Sequence, residues 1–118
     1  MSEKKLKKLI RKYAKWWIHW TGLGYWTINL DFEDVIRMDH GGYDTCAVCE
    51  CDWKYQQATI TFGLDKLRDM KKDTIERTIV HELMHIFLNE MRADGIEHEE
   101  RTATQLQKAF MWVRDADK

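Results

Sequence analysis

The apolar positions of the first twenty residues recur three and four places apart, which predicts an amphipathic helix. Ser2 has a side chain suited to cap the start of this helix, and Gly22 and Gly24 follow its expected end. We expect the apolar face to pack on the rest of the domain and the lysines to face solvent. The apolar face consists of Leu6, Leu9, Ile10, Tyr13, Trp16, Trp17 and Trp20.

The period changes to two after this helix, which is typical of β-strands. Residues 26–32 alternate between apolar and polar and predict a half-buried strand. The segments Thr45–Trp53 and Ala58–Phe62 supply a second and a third strand, and Gly63 ends the third. The residues His40-Gly41-Gly42 predict a turn between the first strand and the second.

Helical spacing returns in the second half of the chain. Asp73 and Glu76 have the spacing of a capping box, so we expect a helix to open at Asp73. It continues to about Arg92, and Gly95 is well placed to stop it. A last helix is expected from about Glu97, with an apolar stripe made of Ala103, Leu106, Phe110 and Val113.

This order predicts an α+β fold: an N-terminal helix, a three-stranded, mainly antiparallel sheet and two C-terminal helices. The chain has 118 residues, of which 44% are hydrophobic, so we expect a single domain over residues 1–118. The absence of proline excludes a proline-rich linker. Apolar runs are far shorter than the roughly 18 residues that a membrane span needs.

Charge and cysteine content add two expectations. Residues 1–20 hold seven Lys or Arg and one Glu, whereas residues 21–118 hold 12 basic and 19 acidic residues. A basic, tryptophan-rich first helix is compatible with a nucleic-acid or anionic-membrane partner, although docking on the domain is the favoured interpretation. Three closely spaced cysteines cannot form the disulfide framework of a secreted domain, so we expect a cytoplasmic protein.

The sequence His81-Glu82-Leu83-Met84-His85 carries the candidate chemistry. Residues four apart share a helix face, so both imidazoles can reach one Zn²⁺. Glu82 is rotated by about 100° from His81 and can take a proton from zinc-bound water. The residues around the motif are apolar, which predicts a buried helix whose polar groups need partners. We therefore predict zinc as cofactor, His81 and His85 as ligands and Glu82 as catalytic base.

A catalytic zinc site needs a third protein ligand. Leu88 and Met91 stand where the metzincin pattern would need Gly and then His or Asp, which excludes that subclass. The remaining candidates open the last helix. Glu99 best shares its inward face, so we predict Glu99 as the third ligand, with Glu100 and then His98 as alternatives.

These motifs resemble those of a known family. The HELMH sequence at 81–85, the pair Glu99-Glu100 and a final helix with Leu-Gln-Lys-Ala-Phe at 106–110 are similar to the small phage-encoded zincin-like metallopeptidases. That family is of the minimal gluzincin type and is more distantly related to the ImmA/IrrE-like and SprT-like groups. The likeness covers roughly residues 25–113, and its specific part is the two-helix metal site.

The resemblance implies a minimal zincin-like fold and a peptide or protein substrate. It also implies an edge strand just before the active helix, along which an extended substrate lies antiparallel, and Ala58–Phe62 matches that place. SprT-like groups use histidine as third ligand, whereas the gluzincin pattern uses glutamate, so His98 and Glu99 both stay open. A phage-encoded protein of this kind would act in the host cytoplasm.

The predicted function is zinc-dependent hydrolysis of peptide bonds by a monomeric metallopeptidase. Glu82 takes a proton from the zinc-activated water and returns it to the leaving amine. Tyr43, Tyr55 and Arg101 are candidates for stabilising the oxyanion, and the sequence selects none of them. The alternative function is a zinc-binding regulatory or nucleic-acid-associated module without peptidase activity.

A second metal site is the less favoured interpretation of the cysteines. His40 with Cys46, Cys49 and Cys51 has suitable ligand types, but structural zinc sites usually have two well-separated pairs. On a strand, Cys49 and Cys51 share one face and Cys46 points to the other. We therefore expect the thiols to act as small buried apolar groups.

Overall fold

The computed structural model describes residues 1–37, 44–95 and 97–116. Helices and strands follow one another in an α+β arrangement, which confirms the predicted fold class. The elements are α1 (Glu3–Trp20), a 3₁₀ turn (Leu23–Tyr25), β1 (Thr27–Glu33), β2 (Ile36–Arg37), β3 (Asp44–Thr45), β4 (Ala47–Asp52), β5 (Gln57–Gly63), α2 (Leu64–Leu67), α3 (Lys72–Ala93) and α4 (Glu99–Ala116). The predicted turn at His40–Gly42 lies outside the described residues.

The main sheet is mixed, so the prediction of a mainly antiparallel sheet is wrong. Its strand order is β1-β5-β4. The pair β4 and β5 is an antiparallel hairpin, whereas β1 runs parallel to β5 with Leu30 opposite Ile60. Parallel neighbours such as β1 and β5 cannot be joined by a tight turn and need a longer crossover connection. Here the connection from β1 to β5 passes through β4, which lies on the other side of β5. It includes the short antiparallel pair of β2 and β3.

The central position of β5 corrects a second expectation. Ala58–Phe62 lies inside β5, between β1 and β4, and therefore is not an edge strand. Ala58, Ile60 and Phe62 are buried, and a strand with a strongly apolar face is best shielded when it has a neighbour on each side. The strand that leaves one edge unpaired next to α3 is β4, since within the described residues β4 pairs with β5 alone.

Gly63 marks the point where β5 meets the chain that enters β4. Its N–H donates to the carbonyl of Cys46 at 2.8 Å. A Cβ at this position would lie 2.9 Å from the carbonyl oxygen of Thr45, which is closer than side chains tolerate. Only glycine fits here without displacing that backbone.

The first helix is capped as predicted but buries fewer aromatic residues than expected. The Ser2 side chain accepts from the Lys5 N–H at 3.3 Å. The buried line of α1 is Leu6, Ile10, Ala14 and Trp17. Trp16 is 46% exposed and Trp20 40% exposed, because three closely spaced tryptophans extend beyond the stripe that α1 can bury.

Few of the aromatic side chains are fully buried. All six tryptophans lie in the described ranges, and Trp17 is the one that is buried. Trp20 instead packs edge-to-face on Phe110 of α4, with ring centroids 5.7 Å apart. Trp112 is 71% exposed and Tyr55 74% exposed.

The third helix begins one residue earlier than predicted and without the capping box. Lys71 precedes its first turn and makes no side-chain cap. Asp73 accepts from Arg77 at 2.6 Å on the surface. Glu76 cannot reach back to the helix start because its carboxylate is turned into the interior, where Oε2 accepts from Trp17 Nε1 at 2.8 Å and from Arg114. The expected stop is confirmed: α3 ends at Ala93, and Gly95 follows in a left-handed conformation with φ of 71°.

The inward face of α4 is rotated from the predicted stripe. Its buried residues are Glu99, Ala103, Gln107 and Met111, whereas Val113 is 42% exposed. Leu106 and Phe110 flank this line and are partly buried against the core. Two of the four buried positions are polar, so a pattern based on apolar residues could not locate the face.

The core combines one face of the sheet with the buried sides of the helices. Among the described residues, no helix has both the length and the apolar character needed to span a membrane. The largest fully buried side chains come from every layer: Trp17, Phe62, Leu6, Ile10, Leu23, Ile60, Leu64, Leu67, Ile75, Ile79, Leu83 and Met84.

The buried ion pair between Arg114 and Glu76 predicts a large stability effect. Arg114→Ala should lower the free energy of unfolding by about 3 kcal/mol, because it leaves the Glu76 carboxylate buried without its cation. The matched control is Arg77→Ala, which breaks the exposed pair with Asp73 and should cost less than about 1 kcal/mol. Urea denaturation of both variants measures the difference, and equal losses would show that the buried pair is no more important than the surface pair.

Candidate metal centre

The two histidines of the motif point their Nε2 atoms at each other from successive turns of α3. The Nε2 atoms of His81 and His85 lie 3.2 Å apart, and the rings meet edge-on. His85 is 5% exposed, whereas the side chain of His81 is 20% exposed. The pair is therefore open to solvent mainly on the side of His81.

Glu100, on the first turn of α4, completes the cluster. Its Oε1 lies 2.6 Å from His81 Nε2, and its Oε2 lies 3.0 Å from His85 Nε2. The ligand atoms of His81, His85 and Glu100 all lie within 4.8 Å of one another. Among the described residues, these three side chains form the group that could hold a metal ion.

Glu99 occupies a different place from the one we predicted. Its Oε2 lies 2.5 Å from Nδ1 of His85, on the ring edge that faces away from the cluster. The same oxygen accepts from Arg92 Nη2 at 2.6 Å. The contacts thus bring Glu100, rather than Glu99, to the Nε2 atoms, and they make Glu99 a residue that orients His85.

The contact with Glu99 determines the tautomer of a neutral His85. A carboxylate only accepts hydrogen bonds, so Nδ1 carries the hydrogen and donates it to Glu99. The Nε2 lone pair of His85 is then free toward His81 and Glu100. Histidines that bind metals commonly have their second nitrogen fixed by a carboxylate in this way.

Glu82 is buried next to this cluster. It is 7% exposed, and its Oε2 has no hydrogen-bond partner among the described residues. Burial, together with the negative charge of Glu100, raises the pKa of Glu82 to about 8 against the opposing effect of Arg92. Glu82 is thus a carboxyl group that holds or releases a proton near neutral pH.

The other candidate site residues lie elsewhere. The side chain of His98 is 58% exposed, and its nearest charged partner is Glu97 at 3.8 Å. Tyr55 lines a second cleft, and Arg101 is exposed on α4. Tyr43 lies outside the described residues. Of the two described candidates, neither Tyr55 nor Arg101 lines the cleft that contains the cluster.

That cleft has a volume of about 1070 Å³ and runs between α3, the start of α4 and strand β4. Within the described chain, its cationic lining residues are Arg77 and Arg92, which the sequence analysis did not single out. Arg92 lies seven residues after His85, which is two turns along the same side of the helix. This spacing is the sequence signal that could have identified Arg92 as a residue near the site. The remaining lining residues are Glu33, Ile36, Thr45, Cys46, Ala47, Val48, Cys49, Glu50, Thr61, Thr74, Thr78, His81, Glu82, His85, Glu100 and Gln107.

The cysteines lie on and beside β4. Cys49 is 8% exposed, and its Sγ lies 3.6 Å from that of Cys51, so these two share a face as predicted. Among the described residues, no third metal-ligating side chain joins the two thiols. His40, the other proposed member of a second metal site, lies outside the described residues.

The donor set fits a zinc ion. Two nitrogens that each lie about 2.0–2.1 Å from a tetrahedral zinc are about 3.3 Å apart, close to the 3.2 Å between the Nε2 atoms. The 2.6 Å contact between His81 Nε2 and Glu100 needs a hydrogen on that nitrogen, and a cation can take the place of this hydrogen. Two imidazoles and one carboxylate also leave a fourth position, which is the ligand count of a catalytic zinc site.

Comparison of this chain with protein-family models, with curated proteins and with solved structures finds no match. The chemistry of the site must therefore be inferred from its own geometry.

Proposed function

We propose that this protein is a zinc-dependent peptidase in which His81, His85 and Glu100 hold the metal and Glu82 acts as general base. The convergence of two Nε2 atoms and one carboxylate next to Glu82, a buried carboxyl group whose Oε2 has no hydrogen-bond partner among the described residues, carries the proposal. Glu100 takes the place that we expected for Glu99.

The position of Glu99 supports the choice of Glu100 as the third ligand. Oε2 of Glu99 is engaged by His85 Nδ1 and Arg92 on the ring edge that faces away from the cluster, while its Oε1 is buried with no hydrogen-bond partner among the described residues. The side chain of Glu100 is 75% exposed and meets both Nε2 atoms from the cleft. A metal ligand and the residue that orients another ligand are thus neighbours in sequence.

The reaction requires a proton to move between water and the leaving amine. A bound zinc ion would polarise the scissile carbonyl and lower the pKa of its water. Glu82 accepts a proton from the attacking water and donates it to the amine as the peptide bond breaks. Glu82 is buried beside the cluster and its Oε2 has no hydrogen-bond partner among the described residues, so this oxygen is available for both proton transfers.

The substrate would be an extended peptide. Strand β4 leaves one edge unpaired within the described residues, and Ala47–Glu50 contribute to the cleft. An extended chain can add to such an edge through main-chain hydrogen bonds. We therefore propose that the substrate lies beside β4 rather than beside Ala58–Phe62, which is part of a central strand.

Measurements of zinc affinity distinguish among the three candidates for the third ligand. Glu100→Gln removes a ligand and should weaken zinc binding by at least about 100-fold, whereas Glu99→Gln should weaken it by about 10- to 100-fold through His85. His98→Asn should leave the affinity unchanged. Competition with a chromogenic chelator measures all three. A larger loss for Glu99→Gln than for Glu100→Gln would assign the ligand role to Glu99.

Peptide cleavage tests the base. Glu82→Gln should reduce kcat by at least about 100-fold with zinc still bound, because the amide cannot take the proton. Glu90→Gln, an exposed change on the same helix, should keep full activity. The measurement is cleavage of a defined peptide library by zinc-loaded protein.

The same assay distinguishes the alternative function. Zinc bound at the site without any cleavage by the unchanged protein would favour a zinc-binding module. Cleavage that survives Glu82→Gln in zinc-loaded protein would show that Glu82 is not the base.

A further inference from the structure

Two cysteine thiols lie side by side on the edge strand β4. Cys49 and Cys51 are separated by one residue, so they share a face of the strand. Their Sγ atoms are 3.6 Å apart, and both thiols are free. Side chains at this spacing come so close only when both sulfur atoms turn toward each other.

The two thiols face different clefts. Cys49 is 8% exposed and borders the cleft of the candidate metal centre. Cys51 borders a second cleft of about 550 Å³ together with Trp53, Lys54 and Arg92. A reagent that enters the second cleft thus meets the Cys51 sulfur with Cys49 directly behind it.

The second cleft suits a small anion. Lys54 supplies one positive charge and Arg92 a second, although Nη2 of Arg92 also donates to Glu99 at 2.6 Å; the exposed rings of Trp53 and Tyr55 supply contact area. Asp52 is the acidic residue that borders this cleft within the described chain, and it accepts from the Lys54 N–H at 3.1 Å. Carboxylate groups of a low-molecular-weight thiol or disulfide therefore find cationic partners next to Cys51.

We propose that Cys49 and Cys51 form a redox-active dithiol that exchanges with small anionic disulfides through the second cleft. The proposal does not depend on the peptidase function, because it uses none of the metal ligands.

The reaction balances in two exchanges. The Cys51 thiolate attacks one sulfur of the small disulfide, forms a mixed disulfide and releases one small thiolate. The Cys49 sulfur, after losing its proton to solvent, attacks the Cys51 sulfur and releases the second thiolate. In total the protein loses two protons and two electrons, and the small disulfide takes them up to become two thiols.

The surroundings assign the order of attack. The hydrogen bond between the two thiols raises the pKa of Cys49 and lowers the pKa of Cys51. Burial raises the pKa of Cys49 as well, whereas the positive charge of Arg92 lowers the pKa of Cys51 against the effect of its partial burial. Cys51 is also the less buried of the two thiols, so it is the one that suits the attacking role. The buried thiol is the resolving residue.

Strand geometry predicts that this disulfide is easily reduced. Residues two apart on a strand have Cα atoms about 6.6 Å apart, near the upper limit of about 6.8 Å for a disulfide. Closing the bond therefore strains β4, and strained disulfides return readily to thiols. An edge strand can adjust more easily than a central one, because only one side is held by backbone hydrogen bonds.

Oxidised glutathione is the probe for the test, with Cys46→Ser as the background that leaves only this pair. Incubation of the reduced, folded variant should remove two hydrogens per chain and leave no glutathione attached, as measured by intact mass. Reduced glutathione should restore the starting mass. In the unchanged protein, the closed pair should be resistant to alkylation, and peptide mapping should locate the bond between Cys49 and Cys51.

Two further variants identify the roles. Cys46→Ser with Cys49→Ser should keep one glutathione on Cys51, because the resolving thiol is missing. Cys46→Ser with Cys51→Ser should form its adduct on Cys49 at least about tenfold more slowly. Circular dichroism checks that each variant is folded, and Cys49→Ala replaces Cys49→Ser if the hydroxyl is not tolerated.

Stable glutathione adducts on the Cys46→Ser protein, disulfide-linked dimers or a bond that joins Cys46 to either partner would overturn the proposal.

Discussion

The buried carboxylate of Glu76 holds together three helices on which the site depends. Its Oε2 accepts from Trp17 of α1 and from Arg114 near the end of α4, and the Arg114 guanidinium also lies 5.5 Å from the Trp17 ring centre. Glu99 forms a similar joint at the other end of the antiparallel pair α3 and α4, through His85 and Arg92. These two sets of polar contacts, one around Glu76 and one around Glu99, lie at opposite ends of the helix pair and fix how α4 is aligned along α3. A slip of one residue would rotate Glu100 by about 100° and separate it from both Nε2 atoms.

These joints also explain why adjacent glutamates take different roles. A buried carboxylate needs charged or hydrogen-bonding partners, and Glu99 obtains them from α3. Glu100, one position further along α4, faces the cleft, where its two oxygens meet the two Nε2 atoms. The helical pattern favours Glu99 as a ligand because it lies on the inward face, and the inward position is the reason that Arg92 and His85 engage it. In this site the candidate ligand is the more exposed of the two acids.

The features predicted correctly are those determined by neighbouring residues. The Ser2 cap, the alternation of β1, the stop at Gly95 and the shared face of His81 and His85 all depend on spacings of a few residues. The order of strands in the sheet depends on the path of the chain between β1 and β4. The alternation of apolar and polar residues within a strand does not indicate which strand is central. The inward face of α4 was missed for another reason: Glu99 and Gln107 are polar, and their burial depends on partners distant in sequence.

Strand β4 carries both proposed activities, and its geometry keeps them separate. A peptide would use the unpaired backbone edge of β4, whereas the dithiol uses side chains on one face of the same strand. Peptide addition at the edge requires no thiol, and thiol exchange through the second cleft requires no metal. Arg92 borders both clefts and donates to Glu99, and Cys49 of the dithiol also borders the cleft of the metal centre. Any coupling between the oxidation state of the thiols and the metal centre would therefore act through these two residues. Closing the disulfide would remove the negative charge of a Cys51 thiolate that Arg92 faces, and it would turn the Cys49 sulfur toward Cys51.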